Sequence, residues 1–177
     1  MRKYLILILL LILALVLLVM GCKALQNNNS GKVNLYIKDT PIDLSKVEHI
    51  YITISEVSAH KVGNGFIPIL QEETTIDLKE VIDTKKLLAS VDLEAGKYTE
   101  LRLVVVKAEI VIEGTTYTLD IPSMEIKIPC VFEVEKDGTV NITLDFDAKN
   151  SIVVIGAGNS GKYILRPVII VESISYE

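Results

Sequence analysis

Residues 139–148 read TVNITLDFDA. Val140, Ile142, Leu144, Phe146 and Ala148 fall on one side of an extended chain; Thr139, Asn141, Thr143, Asp145 and Asp147 fall on the other. Period-two alternation over ten residues predicts a strand with one face in a core and one in water. A helix face needs apolar residues three as well as four apart, and no two apolar residues here are three apart. Asp137-Gly138, just before it, has the chemistry of a tight hairpin turn and predicts pairing with residues 131–136.

The same period recurs outward in both directions. Residues 33–38 alternate and stop at Asp39-Thr40-Pro41, a turn sequence. Residues 47–60 set Ile50, Ile52 and Ile54 against Tyr51, Thr53 and Ser55. Residues 66–70 return after Gly63-Asn64-Gly65, and residues 74–78 add a short strand. Residues 98–113 form a long β-rich run, bent near Lys107-Ala108, and Glu113-Gly114-Thr115 turns it into residues 117–121. Residues 151–155 and 163–176 complete the set, with Arg166-Pro167 marking an edge or a break because proline donates nothing to a ladder. Only residues 78–90 have helical character. Many short strands without repeated βα alternation predict an all-β fold, a two-sheet antiparallel β-sandwich over residues 32–177.

Before this domain the chain changes character. Arg2 and Lys3 precede an uncharged apolar run from Leu5 to Met20, followed by Gly21-Cys22. That order is a secretory signal. Val19-Met20-Gly21-Cys22 resembles the bacterial and archaeal lipobox, although Met20 stands where a small or β-branched residue is usual. The resemblance implies cleavage after Gly21 and a lipid on Cys22. The alternative is an uncleaved signal anchor, since residues 4–22 are long enough to span a bilayer as a helix. Either way the membrane is a partner and the domain sits on the extracytoplasmic face of the cytoplasmic membrane or at the cell surface. Residues 23–31 (KALQNNNSG) read as a flexible tether.

Without residues 1–22 the chain keeps 16 basic and 23 acidic residues, a charge of −7. No basic stripe for nucleic acid is present. Cys130 is then the lone cysteine; its apolar neighbours predict a buried, inert thiol. Gly156-Ala157-Gly158-Asn159-Ser160-Gly161 matches GxGxxG, but Pro167 and a β-branched run follow where a phosphate-binding helix should start, so a glycine-rich turn is expected. Asp145 and Asp147, joined by Asp39, are candidate Ca²⁺ ligands or part of a glycan site; their default is a solvated strand face with turn caps. His49 and His60 lack partners at metal-ligand spacing. No serine lies in a nucleophile motif, so no catalytic residue, cofactor or enzymatic activity is predicted.

Several segments together resemble a known family: LYIKDTP at 35–41, IYITISEVSAH at 50–60, TIDL at 75–78, LEAGKYTELRL at 93–103, IPS at 121–123, LDFDAKNS at 144–151 and GKYILRPV at 161–168. They are similar to domain-of-unknown-function family 4382, found in exported, often lipobox-bearing proteins of bacteria and archaea. The likeness covers residues 32–175, with Met124 where a glycine and Phe66 where a tryptophan are commoner. It implies an immunoglobulin-like or transthyretin-like sandwich and brings no activity or catalytic residues. Tyr98, after Ala95-Gly96-Lys97, is placed to act as a tyrosine corner. Function is expected to be binding or scaffolding of an envelope protein or glycan, with assembly by edge-strand pairing as an alternative.

Overall fold

The computed structural model describes residues 29–39, 46–155 and 162–177, together with Lys3. The apolar run, Cys22 and the glycine-rich stretch 156–161 lie outside the described residues.

Twelve strands follow in order: β1 (Ser30–Lys38), β2 (Val47–Lys61), β3 (Gly65–Leu70), β4 (Thr74–Asp77), β5 (Lys86–Glu94), β6 (Gly96–Ile112), β7 (Thr115–Thr118), β8 (Glu125–Val134), β9 (Thr139–Phe146), β10 (Ile152–Ile155), β11 (Lys162–Leu165) and β12 (Ile169–Tyr176). One sheet has the order β12-β9-β1-β5. The other runs β3-β2-β6-β7, with β4 also on β2 and β8 also on β6. A separate antiparallel pair, β10-β11, is bridged to Asp120 by Ile164. The fold is all-β, as the alternation predicts.

β9 has the burial that its period predicts. Val140, Ile142, Leu144, Phe146 and Ala148 are all buried. They join Val33, Leu35 and Ile37 of β1 and face Ile50, Ile52 and Ile54 of β2 and Leu101, Leu103 and Val105 of β6 in one core. Each such side chain contributes roughly 1.5–3 kcal/mol of burial. Bulges let the long strands keep an apolar inner face. In the β2–β6 ladder Thr53 sits opposite Lys107 but Ile54 opposite Val105, so Val106 is extra. Ile54 opposite Val105 is followed by Glu56 opposite Val104, so Ser55 is extra in turn. Inward positions therefore change from Ile50, Ile52 and Ile54 to Val57 and Ala59. The irregularity lies one residue before the bend expected at Lys107-Ala108.

Three expectations are corrected. Residues 78–90 form no α-helix: a single 3-10 turn, Leu78–Val81, is capped by Asp77, and residues 86–94 are strand β5. A short helix is costly to nucleate, and the free edge of β1 offers a full ladder instead. Asp137-Gly138 does turn, with Asp137 at φ 59° and the Gly138 amide donating to the Glu135 carbonyl at 3.2 Å. It makes no hairpin, however, because β8 bonds to β6 and β9 bonds to β1 and β12. The turn carries the chain from one sheet to the other. Finally, β1 and β9 pair in parallel, so one ladder of the sandwich departs from the antiparallel rule. Arg166-Pro167 interrupts the last run as its proline predicts, separating β11 from β12.

Candidate functional site

The three candidate ligand aspartates gather at the end of the sandwich opposite Ser30. Asp39, fully buried, follows β1 and accepts the Ala148 amide on Oδ1 at 3.1 Å. Asp145 lies on β9 between Lys38 of β1 and Ile170 of β12. Asp147 caps the one-turn helix α1 (Ala148–Ser151), accepting the Asn150 amide on Oδ1 at 3.0 Å and the Asn150 side chain on Oδ2 at 2.6 Å. Asp39 and Asp147 thus serve backbone amides. Among the described residues no three His, Cys, Asp or Glu side chains form a group that would hold a metal ion.

This arrangement separates a cap from a ligand. Asp147→Ala is expected to cost about 1 kcal/mol, whereas Asp147→Asn, an equally good cap, should leave stability nearly unchanged. Melting with and without millimolar Ca²⁺ checks it. A wild-type transition raised by Ca²⁺, with the rise lost in Asp147→Asn, would make the residue a ligand instead.

The histidines have structural partners. Asp77 receives the Ile50 and Lys79 amides on Oδ1 at 3.1 and 3.0 Å, and its Oδ2 lies 2.5 Å from Nδ1 of His49. One carboxylate therefore joins the end of β4 to β2 and orients an imidazole that stacks on Tyr51. His60 bonds Thr99 through Nδ1 at 2.9 Å and packs on Phe66, whose ring also carries the Arg102 guanidinium 3.8 Å from its centroid.

Cys130 points inward and is buried, as its sequence context predicts. Burial pushes its thiol from 9.0 up to about 11. The native chain should resist iodoacetamide at pH 8 and react fully in denaturant, read by mass spectrometry. Because the folded thiol holds its proton longer than the unfolded one, its share of stability is lost as pH rises from about 9 to about 11.

A trough of about 520 Å³ opens where the start of β8 meets the link between β11 and β12. Pro122, Ile126, Leu165, Pro167 and Val168 supply its apolar lining. Lys127 and Arg166 supply its cations and Glu125 its carboxylate. Lys127 stands 4.0 Å from Glu125, while Arg166 is exposed and makes no ion pair among the described residues. The segment is held rigidly: the Val168 amide donates to Ser151 Oγ at 2.8 Å, its carbonyl accepts the Asp147 amide at 2.9 Å, and the Arg166 amide donates to the Ser151 carbonyl at 2.8 Å. Met124 and Ile170, beside it in sequence, are more than half exposed. The volume and mixed lining suit a ligand site. Sequence reasoning missed the trough; Pro122 and Pro167 are the local signals of its walls.

Comparison with protein-family models matches residues 30–167 to a Domain of unknown function (DUF4382). No curated protein and no solved structure matches the chain.

Proposed function

The chain belongs to the family of the domain of unknown function DUF4382, and from that premise we propose that it is a membrane-anchored extracytoplasmic β-sandwich that binds a partner rather than transforming one. The carrying observation is the order of basic start, apolar run, Gly21-Cys22 and then, after residues 23–29, the first residue of β1. A lipid on Cys22 would hold the domain at the surface, each buried methylene contributing about 0.8 kcal/mol. Ser30 opens β1 beside Ala95 and Asp137, while the trough lies by Asp147 and Ser151. The nine residues of β1 separate these ends by about 30 Å. Ser30, where the chain enters β1, and the trough therefore stand at opposite ends of the sandwich, which suits display away from a bilayer.

Mass spectrometry of the native protein tests the anchor. The expected product starts at Cys22 with added diacylglycerol mass, and Cys22→Ser is expected to retain its N-terminal segment. An intact Met1 in the wild type would replace the lipid by a retained helix. A reproducible turnover abolished by one substitution would overturn the binding role.

A further inference from the structure

We infer that the trough between β8 and the β11–β12 link is a docking site for an extended peptide of another protein, one that alternates apolar residues and carries a carboxylate side chain to Arg166. The inference rests on the binding function proposed above and names the class of partner.

Three features of the trough point to that occupant. It is open to solvent, and one wall is an edge strand. β8 bonds to β6 along one side, and no strand is laddered to its other side among the described residues. The backbone groups of Glu125 and Lys127 therefore point away from β6; the Glu125 carbonyl accepts the Ser123 hydroxyl at 3.0 Å, which leaves the Glu125 amide and both groups of Lys127 available to a further strand. Pro129 ends that run, because it has no amide hydrogen to donate.

Next, the apolar lining suits alternate side chains of such a strand. Ile126 and Val168 are incompletely covered, and Pro122 and Pro167 stiffen the two margins without adding donors of their own. Apolar surface held on a rigid support and left in water is a recognised mark of an interaction surface.

The third feature is charge. The chain carries −5 overall, yet this margin sets two cations against one carboxylate: Glu125 stands 3.6 Å from Arg102 and 4.0 Å from Lys127, and Arg166 has no ion-pair partner among the described residues. A planar guanidinium is suited to bidentate binding of a carboxylate. A bilayer is a poorer fit to the same chemistry, since the trough lies about a β1 length, ~30 Å, from Ser30, where the tether joins.

The test uses full-length protein in phosphatidylcholine nanodiscs, panned against a displayed library of random peptides of about twelve residues, long enough to cross the trough at ~3.4 Å per residue. Enriched sequences are expected to alternate apolar positions and to share an acidic residue. A synthetic peptide of the leading sequence should bind the wild type and lose about tenfold or more in affinity to Arg166→Glu. Replacing its acid by lysine should weaken binding to the wild type and restore it to Arg166→Glu. Val168→Asp should also weaken binding, with unchanged melting showing that the chain is folded. Peptides indifferent to both substitutions would overturn this site while leaving a binding module intact. So would self-association abolished by Val168→Asp, which would make the occupant a second copy. No enrichment on folded protein would overturn the peptide inference. The mass at Cys22 is measured independently of these outcomes.

Discussion

Gly31→Ala is expected to lower the unfolding free energy by about 3 kcal/mol, at the upper end of the cost of overfilling a packed site. A Cβ built there would lie 2.2 Å from the Glu135 carbonyl oxygen, 2.8 Å from that of Gly138 and 3.0 Å from Cγ1 of Val134. The first two are backbone atoms and cannot rotate aside. They are also fixed by the hydrogen bonds that bracket Gly31: the Asp137 amide donates to the Ser30 carbonyl at 2.9 Å, and the Lys32 amide donates to the Gly138 carbonyl at 2.8 Å. The substitution must therefore pry β1 from the turn between β8 and β9, the point where the chain crosses between sheets. Gly63→Ala is the control. Its Cβ would meet open space, but φ of +87° makes any side chain unfavourable, for a cost of about 1 kcal/mol. Urea denaturation separates the two. Equal costs would mean that backbone conformation, not crowding, governs Gly31.

Gly31 also shows where local sequence misleads. Beside Asn27, Asn28, Asn29 and Ser30 it reads as the last residue of a tether, yet β1 begins at Ser30 and Gly31 is buried. Composition reports the absence of apolar periodicity; it does not report that two carbonyls from more than a hundred residues away close on the position. Residues 139–148 are the opposite case. Their alternation encodes strand, inner face and outer face without reference to any neighbour. It does not encode which strands lie beside them, so the parallel pairing with β1 and the separation from β8 were not legible. Residues 86–94 hide for a further reason. The pairing moves from Leu35–Ala89 to Tyr36–Leu87, leaving Leu88 as a bulge. That extra residue breaks the period, and Leu87-Leu88-Ala89 then resembles part of a helix.

The same distinction holds for the candidate sites. Side chains that act on nearby backbone are readable: Asp147 caps α1, and Cys130 is an inward strand residue. The trough is not readable, because residues 122–127 and 165–168 meet only after both sheets have assembled. Arg166 becomes informative only once its surroundings show no carboxylate paired with it among the described residues.

Tyr98→Ala is expected to cost about 4 kcal/mol, the usual loss for truncating a buried aromatic residue, and Tyr98→Phe about 1 kcal/mol. The ring is fully buried and stacks on Phe132 with centroids 4.9 Å apart and planes 8° from parallel. Its hydroxyl donates to the Glu94 carbonyl at 2.8 Å. Glu94 ends β5 in one sheet, and Gly96 starts β6 in the other. The bond therefore fastens the chain where it changes sheets, which is the work expected of a tyrosine corner. Phenylalanine keeps the stack and loses only this fastening. Alkaline pH distinguishes the two contributions. Burial, and then the nearby Glu94 carboxylate, push the Tyr98 phenol above its ordinary value of 10.0. The folded state thus holds the proton longer than the unfolded state, and the phenol's contribution is lost as pH rises past the ordinary range. Wild type should exceed Tyr98→Phe in stability near neutrality and approach it as the solution becomes strongly alkaline. A gap that stays constant across that range would place the stabilisation in packing around the ring and not in the hydroxyl's bond across the corner.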